Sequence, residues 1–263
     1  GMTTWIRGFV FSWMLDPLAD FLVALPWWYL ISLLSIGVWI FCNRSTAIVC
    51  MIGLLFIGAT GLWTIGMFSM AQILVSLVLC FLIGVPLGVL AAVSDTCEAI
   101  IRPILDAMQT LPAFVYLIPV LMFFGANVVS AVIAIMIYAL PPIIRLTNLG
   151  IREVPAEAVE AATSFGSTFS QNLFTVKTPL ALPSIMMGVN QAVILGLAML
   201  IVTPLIGGGG LGREVFVGLS QSDTGMSMQG GLSIVFLAVV LDRLTQALSA
   251  RQQEALGLNV GAK

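Results

Sequence analysis

The chain has 263 residues, 60% of them hydrophobic and only 8% charged, with a mean hydropathy of +1.11. A water-soluble domain carries about 25% charged residues, because its surface must face water. Twenty-two charges, a net −2, cannot solvate a globule of this length, so a soluble fold is excluded and lipid is the solvent for most of the surface.

Crossing the hydrocarbon core takes about 20 apolar residues. Residues 1–26 do not read that way: the stretch Trp5 to Leu15 is soon broken by Asp16, Pro17 and Asp20. It has no small-residue cleavage site, so it is expected to lie on the membrane as an amphipathic segment rather than to be a removable signal. Seven apolar blocks follow, at 27–43, 46–63, 68–93, 111–125, 127–144, 183–206 and 230–248. The first two are expected to pair as a hairpin around Asn43, Arg44 and Ser45. Pro86 and the pair Pro141-Pro142 are expected to kink or end their helices. The expectation is an all-α transmembrane bundle at 27–250, a loop at about 152–180, and a C-terminal tail at 251–263.

Basic residues set the orientation. With the loop after the fifth block inside, Arg44, Arg102, Arg145, Arg152, Lys177, Arg243, Arg251 and Lys263 fall inside, and only Arg7 and Arg213 outside. Eight of the ten basic residues therefore predict an outer N-terminus and a cytoplasmic C-terminus.

No charge occurs at 45–94, 111–144 or 183–206, and there is no histidine. Ion-coupled carriers place an ionisable partner inside the bundle, so a transporter with this core draws its energy from elsewhere or is a passive channel. Neither Lys177 nor Lys263 follows the glycine pattern of a phosphate-cradling loop, which excludes an ATPase within the chain. A zinc pair and a Ser–His dyad are equally impossible. The cysteines Cys42, Cys50, Cys80 and Cys97 lack metal-ligand spacing and read as small hydrophobes. No metal site and no cofactor are expected in the chain.

The segment after the fifth block is the most informative. Pro155 and the acidic residues beside it suit a helix start. Ala158, Ala161, Ala162 and Phe165 recur at intervals of three and four, giving a face of small residues ending in an aromatic. Gly166 permits a turn, and Thr168 with Gln171 forms a capping box for a second short helix. Two readings stand: a hairpin that closes the bundle, or a knob that enters a partner's groove with Phe165 as anchor.

Glu160-Ala161-Ala162, Gly166 after three residues, and Val176-Lys177-Thr178-Pro179 after nine more resemble the EAA loop of bacterial ABC importer permeases. Val176 and Thr178 replace the Ile and Leu of that pattern. The stretches 106–120, 139–151, 180–191 and 241–246 are similar to the glycine betaine/proline betaine permease subfamily. The resemblance implies a permease of the type I importer kind in the bacterial inner membrane, working by alternating access. Its implied partners are a second copy of the chain, two ATPase subunits that bind ATP and Mg, an extracytoplasmic solute-binding protein and lipid, with no nucleic acid. Glu160, Ala161, Ala162, Phe165, Gly166 and Pro179 are the implied coupling residues. Choline, carnitine and trimethylamine N-oxide are alternative solutes, and a stand-alone osmotic channel is the rival class.

Other positions carry two readings each. Asn190 and Gln191 either bridge helices or line a translocation path. Phe114 and Tyr116 either pack or offer cation–π faces to a quaternary ammonium. The run Gly207, Gly208, Gly209, Gly210 is either a flexible exit turn or an outer hinge. Asp106, Gln109 and Thr110 either cap a helix or shape an inner gate.

Overall fold

The structure, a computed structural model, describes residues 1–41 and 44–255. The expected hairpin turn at Asn43, residue Cys42 and the tail beyond Ala255 lie outside the described residues.

Apolar side chains shed water, and a backbone in lipid must satisfy its own hydrogen bonds, so the blocks become helices. Helix α1 (Met2–Ala24) makes a 100° bend into α2 (Trp27–Phe41). Then come α3 (Arg44–Ala59), α4 (Trp63–Val93), α5 (Asp95–Thr110), α6 (Ala113–Phe124), α7 (Val128–Arg152), α8 (Ala156–Ser164) and α9 (Phe169–Leu200). A 3-10 turn at Thr203–Ile206 precedes α10 (Leu211–Ser220) and α11 (Thr224–Ala255).

Among the described residues, four helices suffice by length and composition to cross a membrane alone: α4, α7, α9 and α11 up to Gln246. Two bent pairs, α1 with α2 and α5 with α6, bring the number of spans to as many as six. The seven apolar blocks thus map onto α2, α3, α4, α6, α7, α9 and α11. The fourth is the shortest: α6 has 12 residues and rises about 18 Å, well short of the roughly 30 Å of hydrocarbon.

The inner core is the trio α4, α7 and α9, with α11 packed on α9 and α10, and α2 and α3 packed outside against α11. Close approach is made possible by missing side chains. A Cβ on Gly84 would lie 2.8 Å from Ile143 Cγ2, and one on Gly88 would lie 2.5 Å from Thr147 Cβ. The spacing Gly84-x-x-x-Gly88 therefore forms a groove on α4 that receives α7. Higher on the same seam, Ser76 Oγ donates to Val132 O (3.1 Å) and Cys80 Sγ to Met136 O (3.0 Å). From the other side, Gly188 of α9 brings its backbone against Pro142 O, 3.1 Å from the position a Cβ would take.

Two expectations need correction here. Of the kink or end expected at Pro86 and at Pro141-Pro142, the end does not occur: the helices run on to Val93 and Arg152, since inside a bundle neighbouring helices hold a backbone that has lost a hydrogen bond. The sixth block does not begin at 183. Its helix starts at Phe169, and the second short helix of the loop is its first turn. A π-helical stretch at Asn172–Lys177 joins the two. Thr178 Oγ1 donates to Leu173 O (2.8 Å), adding a bond where Pro179 removes a backbone donor.

Candidate coupling site

The connection between α7 and α9 is short and exposed. α7 ends at Arg152, three residues intervene, and α8 buries none of its residues. Pro155 stands as the cap, with Ala156 first in the helix. The small-residue face divides into two rows. Ala158 and Ala162 are half-buried toward the protein, whereas Ala161 and Phe165 stand out to solvent, Phe165 at 94% exposure. Glu157 and Glu160 are also exposed.

Gly166 terminates α8 with φ +82° and nothing within 4 Å of where a Cβ would be. The requirement for glycine is conformational, not steric crowding. Beyond it the capping box closes as read from the sequence: Thr168 N donates to Gln171 Oε1 (2.8 Å) and Gln171 N to Thr168 Oγ1 (3.4 Å). Asn172, 7% exposed, fastens α8 to the start of α9. Its Nδ2 donates to Val159 O and Thr163 Oγ1, both at 3.3 Å. The result is a small helical knob, anchored from behind and open in front. Pro179 is half-buried at the base.

Arg152, by contrast, was legible in the sequence only as a cytoplasmic charge. Its Nη2 donates to Ala91 O (2.9 Å) and Asp95 Oδ1 (2.8 Å) and lies 3.0 Å from Glu98 Oε2. Its Nε donates to Asn148 Oδ1 (3.0 Å). Glu98 also pairs with Arg102, and Asp106 pairs with Arg145. Asp106 therefore pairs across to α7 rather than capping a helix, while Thr110 Oγ1 donates to Ala107 O (2.9 Å) within its own helix. The hydrogen bond from Arg102, followed by the charges of Arg102 and Arg152 and the Asn148 amide, holds Glu98 below the ordinary glutamate range against an opposing desolvation effect. The interval of seven residues from Arg145 to Arg152, matched by eight from Glu98 to Asp106, was the available signal.

The remaining candidates are scattered. Asn190 Oδ1 accepts from Thr245 Oγ1 (2.6 Å), joining α9 to α11, and Gln191 points outward, exposed. Tyr116 is buried, bonds Met108 O through its hydroxyl, and meets Tyr138 edge-on at 5.4 Å; Phe114 is 60% exposed. Phe114 and Tyr116 thus lie on α6 and Asn190 and Gln191 on α9.

The glycine run is close-packed. Gly207 (φ +85°) sits against Asn127 N, 2.7 Å from its Cβ position, Gly208 against Thr203, and Gly209 against Phe68. Gly210 (φ +78°) sits against Ser69, whose Oγ accepts Leu211 N (2.7 Å). In this conformation the run is a tight joint between α4, the start of α7 and α10, not a loose exit turn. Sequence reasoning missed Gln72 beside it, buried on α4 with both amide atoms unpartnered.

Comparison with known proteins supplies the family of the chain as a whole. The family described as "binding-protein-dependent transport system inner membrane component" matches residues 84–254. This chain belongs to that family. It is a multi-pass inner-membrane component of such a transport system, not the catalytic subunit.

Among curated relatives of this inner membrane component, the glycine betaine/proline betaine permease protein ProW of Escherichia coli is 44% identical, over 90% of this chain and 67% of its own length. The glycine betaine permease protein OpuAB of Bacillus subtilis is 39% identical, over 96% of this chain and 86% of its own. A trimethylamine N-oxide permease protein, TmoV of Ruegeria pomeroyi, is 32% identical over 98% of this chain but only 39% of its own length. In fold, the chain is similar to the inward-facing MetNI methionine ABC transporter, with a TM-score of 0.61 over 72% of this chain and 92% of that one, at 22% identity.

Proposed function

We propose that this chain is the translocation subunit of an ATP-driven importer for a betaine-like quaternary amine, two copies of it forming the path. Each copy would seat α8, Ala161 and Phe165 in a groove of an ATPase subunit, where ATP and Mg are bound, and an extracytoplasmic binding protein would deliver the solute. The observation that carries this reading is the knob itself. An aromatic side chain left 94% exposed on a well-anchored helix gains nothing for the chain alone, but burying it against a partner contributes about 1.5–3 kcal/mol.

The solute class rests on relatives. Those named for glycine betaine are 39–47% identical, against 32% for those named for trimethylamine N-oxide. A permease named for glycine betaine and carnitine, at 41%, keeps carnitine as the second reading. Energy from a separate ATPase also agrees with a core that holds no charge at 45–94, 111–144 or 183–206.

In this reading the knob faces the cytoplasm, the N-terminus and the Gly207–Gly210 turn face outward, and α1 lies along the outer surface. The eight-to-two division of basic residues supports it. Phe114, Tyr116, Asn190 and Gln191 remain candidates for the path, and the glycine run for an outer hinge that would open only in another conformation.

The test is reconstitution in liposomes with the ATPase and binding protein, following radiolabelled glycine betaine. Uptake should require ATP and both partners, and the isolated complex should hold two copies of this chain. Flux through the chain alone without ATP would replace the importer with a channel.

A further inference from the structure

The proposed coupling segment hangs from α7 and α9, yet the bundle must move as more than two helices. Helix α5 is poorly placed to follow by packing alone. It buries only Leu105 among its residues, and Ile100 and Ile104 are 61% and 55% exposed. It leads into α6 through a 107° bend. What joins α5 to α7 is mostly charge, at two points: Asp95 and Glu98 with Arg152, and Asp106 with Arg145.

The two points are matched in length. Eight residues separate Glu98 from Asp106 and seven separate Arg145 from Arg152, which is about 12 Å and about 10.5 Å of helix. The pairs run in opposite chain directions, so the helices are antiparallel here. A helix tied at one point can swivel; one tied at two points an equal distance apart moves with its partner.

Arg152 adds a third element, because the same Nη2 bonds Ala91 O at the end of α4. Helices α4 and α7 do not need it to stay together, since the Gly84, Gly88, Ser76 and Cys80 contacts already hold them. A cavity of about 390 Å³ between α5 and α7, lined by Glu98, Arg102, Asp106, Arg145, Asn148 and Arg152 among others, leaves these charges room to move.

We propose that Arg152 is a positioning residue that passes displacement of the coupling segment to α5 and the end of α4. Movement driven at α8 then reaches α6 through α5, as well as α7 and α9 directly. This rests on the coupling reading above. Arg152 is tied back into the bundle through Ala91, Asp95, Glu98 and Asn148, so in this reading it determines what moves when the knob moves.

The experiment uses the full complex in liposomes. For Arg152→Gln, co-purification of the ATPase and basal ATP hydrolysis should stay within about twofold of the unsubstituted complex. Transport and solute-stimulated hydrolysis should fall about tenfold, with Arg152→Lys, which keeps the charge, between the two. A group misplaced by about 1 Å can cost about a hundredfold in a positioned step, so a fall of about tenfold is the smaller end of what lost positioning produces. The double variant Asp95→Asn with Glu98→Gln, which alters only α5, should uncouple in the same way. It also serves if Arg152→Gln fails to fold.

Full coupling in both variants would overturn the inference, and so would loss of basal hydrolysis and co-purification in step with transport. Phe165→Ala, run in parallel, separates the two readings. If it leaves coupling intact, the knob reading itself fails. If it uncouples while Arg152→Gln does not, only the transmission role is lost.

Discussion

Helices α7 and α8 are three residues apart in the chain and opposite in character. Of α7's most apolar stretch, 67% is buried inside the protein, pressed between α4 and α9 across missing side chains. No residue of α8 is buried, and its most prominent side chain is an aromatic in open solvent. Packing density makes a core sensitive to a single methyl group, whereas an exposed helix tolerates most changes to its own stability. The contrast teaches where to look for each property: α7 holds the bundle together, whereas the proposed coupling role of α8 rests on a surface that the bundle itself does not need.

The largest expected effect breaks the α7 side of the contrast. Gly88→Val would place Cβ 2.5 Å from Thr147 Cβ and 2.8 Å from the Ile144 carbonyl, neither of which can yield cheaply. Overpacking of this kind costs about 1–3 kcal/mol and sometimes more. Thermal unfolding of the purified complex should shift down clearly, with reduced yield in membranes, and activity should be lost along with stability.

Gly166→Val should separate the two properties. The position has room for a side chain but φ of +82°, so the cost is backbone strain of about 1–2 kcal/mol, relieved by local rearrangement of the knob. Bundle stability should be nearly unchanged while solute-stimulated hydrolysis falls at least tenfold. If Gly166→Val transports at the unsubstituted rate, the knob is only a hairpin that closes the bundle. A cysteine at Ser170 in a cysteine-free chain sharpens the same comparison. An impermeant reagent should label it from the cytoplasmic side, and labelling from outside would invert the topology.

The smallest expected effect is electrostatic. Glu98 has a lowered pKa in the folded chain, first through its hydrogen bond from Arg102. Its contribution to stability is therefore fully present above the ordinary glutamate range and is lost as pH falls through the lowered native value. The stability difference between the unsubstituted chain and Glu98→Gln should be constant near neutral pH and close only in acid. Because its partner Arg102 stands 68% exposed to solvent, added salt should narrow the difference as well.

The sequence by itself determined the features that depend on local chemistry. Sixty per cent hydrophobic residues in long continuous uncharged blocks point to membrane helices, because a helix satisfies its backbone within one segment, whereas a membrane barrel needs shorter strands of alternating polarity. The capping box at Thr168 and Gln171, and the positive φ at Gly166, follow from residues within three or four positions of each other, so they could be read directly. Tertiary structure decided whatever depends on what lies opposite. Four consecutive glycines look like slack until Asn127, Thr203, Phe68 and Ser69 are found filling the space their side chains would need. Pro141 and Pro142 look like a stop until α4 and α9 are packed beside them. Arg152 looks like one more cytoplasmic charge until Ala91, Asp95 and Glu98, some 54 to 61 residues earlier, arrive within reach of one guanidinium. Spacing along the chain encodes neighbours on a helix; it does not encode which helix comes to rest against it.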